Sequence, residues 1–284
     1  MTIKAAYQYF FKELSKIYNA SETSTITDWI FEAKLSVTKS TLIKNPDTAI
    51  STSDSAVLEK ALSDLLTHKP IQYVVGEVWF YKMKLKVNEA VLIPRPETEE
   101  LVALAIDFLS KANEQHVKVL DIGTGSGCIS IALKTMLPHL NVTAVDVSAE
   151  AIEVAKENAQ QYKADIKFLK LDFLDESQWD KLPLFDGILS NPPYIPLMEQ
   201  SLMDKNVIAY EPATALFVPN DAPLIFYEKI AAFGKTHLQP QGKIWVEVHE
   251  DFARETAHVF SSNFPNTAIH KDIYGKNRMV SANY

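Results

Sequence analysis

The sequence predicts an α/β domain built on a mostly parallel sheet, preceded by a small bundle of helices. Three observations carry this. Beyond residue 117, short apolar strands alternate with amphipathic helices; the first 75 residues repeat their apolar side chains at helical spacing; and the period changes between the two, over residues 76–94.

Taken in order, Ile3, Tyr7, Phe10, Leu14 and Ile17 recur every three or four residues, with Lys4, Lys12, Glu13 and Lys16 on other faces, which predicts one helix. A second is expected over 26–37. A third starts near Ser53-Asp54-Ser55, good N-cap residues, and turns Val57, Leu58, Ala61, Leu62, Leu65 and Leu66 inward. Nothing in this segment has a catalytic pattern, so docking a partner or lidding a site is its expected use. Over 76–94, Val78, Phe80, Met83, Leu85 and Val87 mix with Lys82, Lys84 and Lys86, the pattern of a β-hairpin linker. Pro94 and Pro96 then punctuate the chain before a helix over 101–111.

Strands are expected at 117–122, 142–147, 166–171, 185–190 and 243–248, and helices at 129–137, 149–162, 223–236 and 251–263. Parallel strands need crossover helices, and these cover both faces of the sheet. A terminal hairpin, 267–272 and 278–284 around Tyr274-Gly275-Lys276-Asn277, raises the count to seven strands and makes one of them antiparallel. The expected organisation is therefore a helical docking domain over 1–75, a hairpin linker over 76–94 and a catalytic domain over 95–284.

Composition narrows the class. With 47% apolar and 23% charged residues, 284 residues can bury a sizeable core or two. The net charge of −8 argues against a nucleic-acid backbone as direct partner, because phosphate affinity comes from clustered Lys and Arg. Cys128 is the single cysteine, so no internal disulfide forms and a cytoplasmic protein is the simplest reading. The first 19 residues hold no signal-peptide pattern, and no apolar run is long enough to span a membrane. The seven histidines show no metal-ligand spacing, and no metal is expected.

Asp121-Ile122-Gly123-Thr124-Gly125-Ser126-Gly127 follows a predicted strand and opens a helix, where glycines let a ligand approach the backbone closely. Asp146, at the tip of the next strand, can accept both hydroxyls of a ribose. A dinucleotide fingerprint spaces its glycines G-x-G-x-x-G, whereas here the third comes one residue early and an acid precedes the first. The missing Gly-Lys-Ser/Thr ending excludes a phosphate-binding P-loop, and Ser126 lacks the spacing of a hydrolase nucleophile. The D-x-G-x-G-x-G form resembles the first motif of the S-adenosylmethionine-dependent methyltransferases. In that arrangement Asp172 lies near the adenine amine and Phe173 on its face; plain core packing explains Phe173 equally well.

Asn191-Pro192-Pro193-Tyr194 ends a predicted strand. Two prolines fix their own φ, donate no N–H and keep the preceding residue out of the helical region. They leave a stiff corner that displays the Asn191 carboxamide, the Pro192 carbonyl and the Tyr194 ring. Two acceptors beside an aromatic plate suit a planar NH2 group.

In combination, the glycine loop, Asp146 and this corner resemble methyltransferases that modify adenine or cytosine amines in nucleic acid, or the amide of glutamine in protein. Gln72-Tyr73, Gly76-Glu77, Phe80, the run Leu92-Ile93-Pro94-Arg95-Pro96-Glu97-Thr98-Glu99, Glu211-Pro212 with Ala215-Leu216, and Asp272-Ile273-Tyr274-Gly275-Lys276-Asn277-Arg278 resemble the HemK/PrmC family of release-factor glutamine N5-methyltransferases. The resemblance covers the chain from about residue 69 onward. It implies a Rossmann-like fold that converts S-adenosylmethionine to S-adenosylhomocysteine and methylates the glutamine of the Gly-Gly-Gln motif in peptide chain release factors. It implies that Asp121, Gly123, Thr124, Gly125, Ser126, Gly127, Asp146, Asp172, Phe173 and Asn191 bind the cofactor. Asn191, Pro192, Pro193 and Tyr194 would hold the glutamine, with Asn191, Pro192 and Tyr194 acting in the transfer. A monomer is expected. Family members often carry tryptophan at the position of Phe173 and glycine at that of His249. The competing readings are an amine methyltransferase acting on DNA or ribosomal RNA, and a non-catalytic adaptor that keeps the fold. Glu99 and Glu100 read as acids of a first helical turn; the role of Arg95 stays open.

Overall fold

Capping side chains set the first helices. In the computed structural model, which describes residues 1–111 and 116–284, Thr2, Asn19, Thr38 and Ser51 each accept a hydrogen bond from the backbone N–H three residues on. They start α1 (Ile3–Leu14), α2 (Ala20–Leu35), α3 (Lys39–Lys44) and α4 (Thr52–Leu66). A fifth helix, α5 (Ile71–Val75), follows Pro70 and stops at Gly76, whose φ of 88° a side chain would resist. Ile3, Phe10, Leu14, Ile30, Phe31 and Leu65 form the core of this unit. It comprises Met1–Glu77 together with Asp204–Tyr210, a segment from much later in the chain.

The differences from the expected helices have local causes. Asn19 caps α2 at Ala20, well before residue 26, and Ser51 rather than the 53–55 serines caps α4. Ile17 lies past the end of α1 and Val57 faces outward, at 38% and 42% exposure. Helices α3 and α5 are too short to display a period.

The second unit comprises Val78–Met203 and Glu211–Tyr284. Strands β1 (Glu77–Phe80) and β2 (Met83–Lys86) make the hairpin, turning through Tyr81 and Lys82, both at positive φ. After α6 (Pro96–Leu109), with its proline in the first turn, strands and helices alternate: β3 (Lys118–Ile122), α7 (Cys128–Met136), β4 (Asn141–Asp146), α8 (Ala149–Gln161), β5 (Ile166–Lys170) and β6 (Phe185–Ser190). Five short elements then follow: β7 (Ile195–Pro196), a 3-10 turn at Leu197–Leu202, α9 (Lys205–Tyr210), α10 (Ala213–Leu216) and β8 (Phe217–Val218). No period in the sequence announced them. The chain finishes with α11 (Ile225–His237), β9 (Leu238–Glu247), α12 (Ala253–Ser261) and the hairpin β10 (Asn266–Lys271) and β11 (Asn277–Asn283).

The seven strands lie in the order β10-β11-β9-β6-β3-β4-β5. Five pair side by side in parallel, and β11 runs antiparallel to both its neighbours, so six of the seven strands point one way. Consecutive buried positions along β3 and β6 show that both faces of the sheet are covered. Leu120, Ile122, Val145, Phe185, Ile188, Tyr227, Phe233 and Val246 build the core on that sheet. The order reverses at β3, which has β4 on one side and β6 on the other, so a crevice opens at the carboxyl ends of these strands.

Candidate active site

Strand register assembles the site. Ile122 on β3 pairs with Val145 on β4 and with Ser190 on β6, and Ser190 pairs with Val246 on β9. The next residue on each strand therefore falls in one row at the crevice: Asp146, Gly123, Asn191 and Glu247. The glycine loop and the proline corner, far apart in sequence, are neighbours because their strands pair in parallel.

The loop is held from below. Gly123 and Thr124 donate backbone N–H groups to the Val145 carbonyl at 2.9 and 3.0 Å. The fully buried Asp121 accepts the Thr124 hydroxyl at 2.7 Å and the Ser130 N–H at 3.2 Å through Oδ2, while its Oδ1 has no partner. Burial pushes the Asp121 carboxyl up to about 6, against the pull of those hydrogen bonds. Asn158, also fully buried, donates to the Ser126 carbonyl and to the Lys86 carbonyl, both at 2.9 Å, and accepts the Lys86 N–H at 2.7 Å. One carboxamide thus fastens the glycine loop to the hairpin. Sequence reasoning missed it, although an asparagine within the apolar stripe of Ala151, Val154, Ala155 and Ala159 was a signal that could have found it.

The three glycines of the loop do different things. Gly123 and Gly125 sit at positive φ, 71° and 54°, and a Cβ on either would point into open space. A Cβ on Gly127 would come within 2.9 Å of Ile131 and 3.1 Å of Ala155, so that glycine lets α7 and α8 close up. Beside the open pair, the Asp146 carboxylate accepts the Gly125 N–H at 2.9 Å and the Ser148 N–H at 3.0 Å. Burial raises its pKa, and those backbone donors oppose the shift. An open glycine cradle flanked by one carboxylate with a bare buried oxygen and another at a strand tip fits a ligand with a cationic amine and a diol.

Phe173 is 5% exposed and lies in an aromatic cluster with its ring centroid 5.5 Å from Trp179 and 5.3 Å from Phe233. Core packing accounts for an aromatic residue there without a ligand. Asp172 is exposed, and its Oδ1 accepts the Leu174 N–H at 3.0 Å in a local turn. The Thr124 hydroxyl is spent on Asp121.

At the corner, Asn191 is half-buried and its Nδ2 donates to the Thr98 hydroxyl at 3.0 Å. Thr98 in turn donates to Glu247 Oε2 at 2.6 Å, and the Tyr194 hydroxyl donates to Glu247 Oε1 at 3.3 Å. Glu247 is 1% exposed, and burial lifts its carboxyl to about 7 against the Thr98 hydrogen bond and the Arg278 charge. Burial and the neighbouring Glu247 both raise the Tyr194 hydroxyl well above its ordinary value. The His249 ring stands edge-on to Tyr194 at 6.1 Å. Arg95 pairs with Glu211 at 2.6 Å, and Glu211 also accepts the Ile93 N–H at 3.2 Å. Glu99 and Glu100 accept the backbone N–H groups of Tyr81, at 2.8 Å, and Ile273, at 3.2 Å, and so anchor two turns. Among the described residues no group of three or more His, Cys, Asp or Glu is placed to hold a metal ion, and no helix is long and apolar enough to cross a membrane.

The sheet order, the glycine cradle and the carboxylate row define a Rossmann-like methyltransferase. Family models agree: residues 102–211 match the methyltransferase small domain and residues 5–76 the PrmC N-terminal domain. The release factor glutamine methyltransferase of Flavobacterium psychrophilum is 38% identical over the whole of both chains. That of Bacteroides thetaiotaomicron is 36% identical over 97% of this chain and 98% of its own. Among solved structures, the catalytic domain of hMettl16 bound to a MAT2A 3'UTR hairpin aligns with a TM-score of 0.54 over 82% of each chain. At 14% identity that likeness speaks of the fold alone. The chain belongs to the release factor glutamine methyltransferase family, and it is an enzyme.

Proposed function

We propose that this enzyme transfers a methyl group from S-adenosylmethionine to the side-chain amide nitrogen of the glutamine in the Gly-Gly-Gln motif of peptide chain release factors. One observation carries the reading: the glycine cradle and the Asn191-Pro192-Pro193-Tyr194 corner follow paired positions on adjacent parallel strands. A donor and a planar amide held by these two features meet at one crevice.

The donor supplies a methyl group activated on a sulfonium. Asp121, through its bare Oδ1, and Asp146 would hold its cationic amine and its ribose, and Gly123 and Gly125 would let it lie against the backbone. Gly127 and Thr124 support the loop from within, and Ser126 holds it through its backbone carbonyl. Asp172 and Phe173 would border the adenine, Phe173 from the core side.

Asn191 Oδ1 and the Pro192 carbonyl accept the two N–H hydrogens of the substrate carboxamide, aiming its nitrogen and favouring the positive charge that grows on it. Pro193 stiffens the corner, and Tyr194 lies against the amide plane, where its ring face favours nearby positive charge. An amide nitrogen is a poor nucleophile, so this positioning is the chief contribution the chain makes. Leu197 and Met198, 51% and 72% exposed just past the corner, offer apolar surface to a polypeptide. The helical unit of residues 1–75 docks the rest of the release factor, and the cytoplasm is where that partner would be met.

The test offers the enzyme radiolabelled donor with purified release factor, DNA and ribosomal RNA. The expected result is label on the release factor alone, with the mass of one methylene gained on a single glutamine. Label on a nucleic acid instead would replace the reading with the amine methyltransferase one.

A further inference from the structure

The three hydrogen bonds around Glu247 have a direction. An ionised carboxylate only accepts, so the Thr98 hydroxyl must give its one proton to Glu247 Oε2, at 2.6 Å. The Thr98 oxygen then has only lone pairs left for Asn191, which forces the carboxamide to turn its NH2 toward Thr98, at 3.0 Å. The other end of the same amide, its oxygen, faces away from Thr98. Tyr194 gives its proton to the second carboxylate oxygen, so one buried acid holds both side chains of the corner. Among the described residues, neither the Thr98 nor the Glu247 side chain makes another side-chain hydrogen bond that would explain a threonine and a carboxylate buried at the carboxyl end of the sheet.

We propose that Thr98 and Glu247 are positioning residues for methyl transfer: the Glu247 carboxylate fixes the direction of the hydrogen bonds through Thr98, and so keeps the Asn191 oxygen toward the substrate amide. This rests on the reading of Asn191 as acceptor for the glutamine NH2. Protonation of Glu247 removes the constraint. A neutral Glu247 can donate to Thr98, Thr98 can donate to the Asn191 oxygen, and the flipped carboxamide then presents NH2 to the substrate's NH2. Donor faces donor, and the amide is no longer held.

The carboxyl of Glu247 changes charge near neutral pH, being pushed to about 7. Around it, Arg278 on β11 is permanently cationic. Tyr194 at the corner and Tyr227 on α11 are held neutral by burial, and burial pushes the Cys128 thiol on α7 up to about 12. The Glu97 carboxylate on α6 opposes ionisation of Glu247. Asp121 in the glycine loop, pushed to about 6, titrates nearby in pH but belongs to the donor side.

Turnover on purified release factor, at saturating donor and acceptor, is measured from about pH 5.5 to 8.5 for the wild type, Thr98→Val, Thr98→Ser and Glu247→Gln. Wild-type kcat is expected to rise through an apparent pKa near 7. That limb should vanish in Glu247→Gln, whose amide can face Thr98 either way, while any limb from Asp121 persists. Thr98→Val should lower kcat about 10- to 100-fold at pH 8 with donor affinity within about twofold, and Thr98→Ser should recover to within about threefold. Thr98→Val at wild-type kcat, equal losses in the valine and serine variants, or a Glu247→Gln profile that keeps the limb would each overturn the proposal. Should Thr98→Val fail to fold, the wild-type and Glu247→Gln profiles decide it alone. A wild type that leaves the release factor unmodified sinks the parent reading, and this one with it; an active wild type with unchanged variants sinks only the relay.

Discussion

Glu247 is held at a thermodynamic loss. Its carboxyl lies at about 7 in the folded chain against an ordinary 4.5, because burial disfavours the charge more than Thr98 and Arg278 favour it. The sign follows from linkage. Below the ordinary value both folded and unfolded chains carry the proton, and the group is neutral toward stability. As pH rises toward 7 the unfolded chain releases its proton first, and stability falls; above 7 the full shift is lost. Glu247→Gln should therefore leave the melting transition near wild type at about pH 4.5 and raise stability by on the order of 3 kcal/mol at pH 8. Chemical denaturation at the two values checks this, and equal stability at pH 8 would refute the burial cost. The proposed positioning role would account for an acid kept in place against such a loss. On the proposed reading Asn191→Ala removes the acceptor for the substrate amide, and turnover should fall about 10²- to 10³-fold, measured by label transfer at saturating substrate.

Within single elements, the glycine loop divides into Gly123 and Gly125, which face open space, and Gly127, which packs between helices. Gly127→Ala drives a methyl to within 2.9 Å of Ile131 at a φ of 81°, against two packed helices. It should cost about 1–3 kcal/mol of stability, read as a lowered denaturant midpoint. The Cβ of Gly125→Val meets nothing within 4 Å, so its stability loss should come chiefly from backbone strain of about 1–3 kcal/mol, while calorimetry should show donor affinity falling at least tenfold. The reverse pattern would exchange the two roles. Much at this scale was legible in the sequence: the strand-helix alternation, the hairpin, the loop and the proline corner all carry local signals of period or turn chemistry. Thr98 and Glu247 were not legible as a pair. They stand 149 residues apart, and Thr98 and Asn191 stand 93 apart, so only strand order and register bring them together. Nothing local in a threonine at a helix start or a glutamate at a strand end announces that. Phe173 shows the opposite limit: its place was legible, but whether the ring faces a ligand or the core depends on Trp179 and Phe233, which sequence spacing does not locate.

At the scale of the whole chain, residues 204–210 link the two units by allegiance rather than by position. They lie in sequence between the proline corner and Glu211, the partner of Arg95, yet they belong with the helical bundle. Tyr210 explains the attachment: its hydroxyl reaches the Thr67 carbonyl at 3.0 Å and the Thr67 hydroxyl at 2.7 Å, and the Lys69 ammonium lies 6.0 Å from its ring centroid. The chain leaving the proline corner thus joins the bundle over residues 204–210 and returns to the second unit at Glu211. Tyr210→Phe keeps the ring and removes the hydroxyl, so it should weaken this attachment alone, by about 0.5–1 kcal/mol for exposed hydrogen bonds. Hydrogen exchange should accelerate about two- to fivefold over residues 205–210 and stay at the wild-type rate in β6 and β9, whose buried ladders open only with the global transition. Exchange that quickens across those strands as well would mean that the segment and the sheet open as one cooperative body, and that the division of this chain into two units describes its contacts but not its stability.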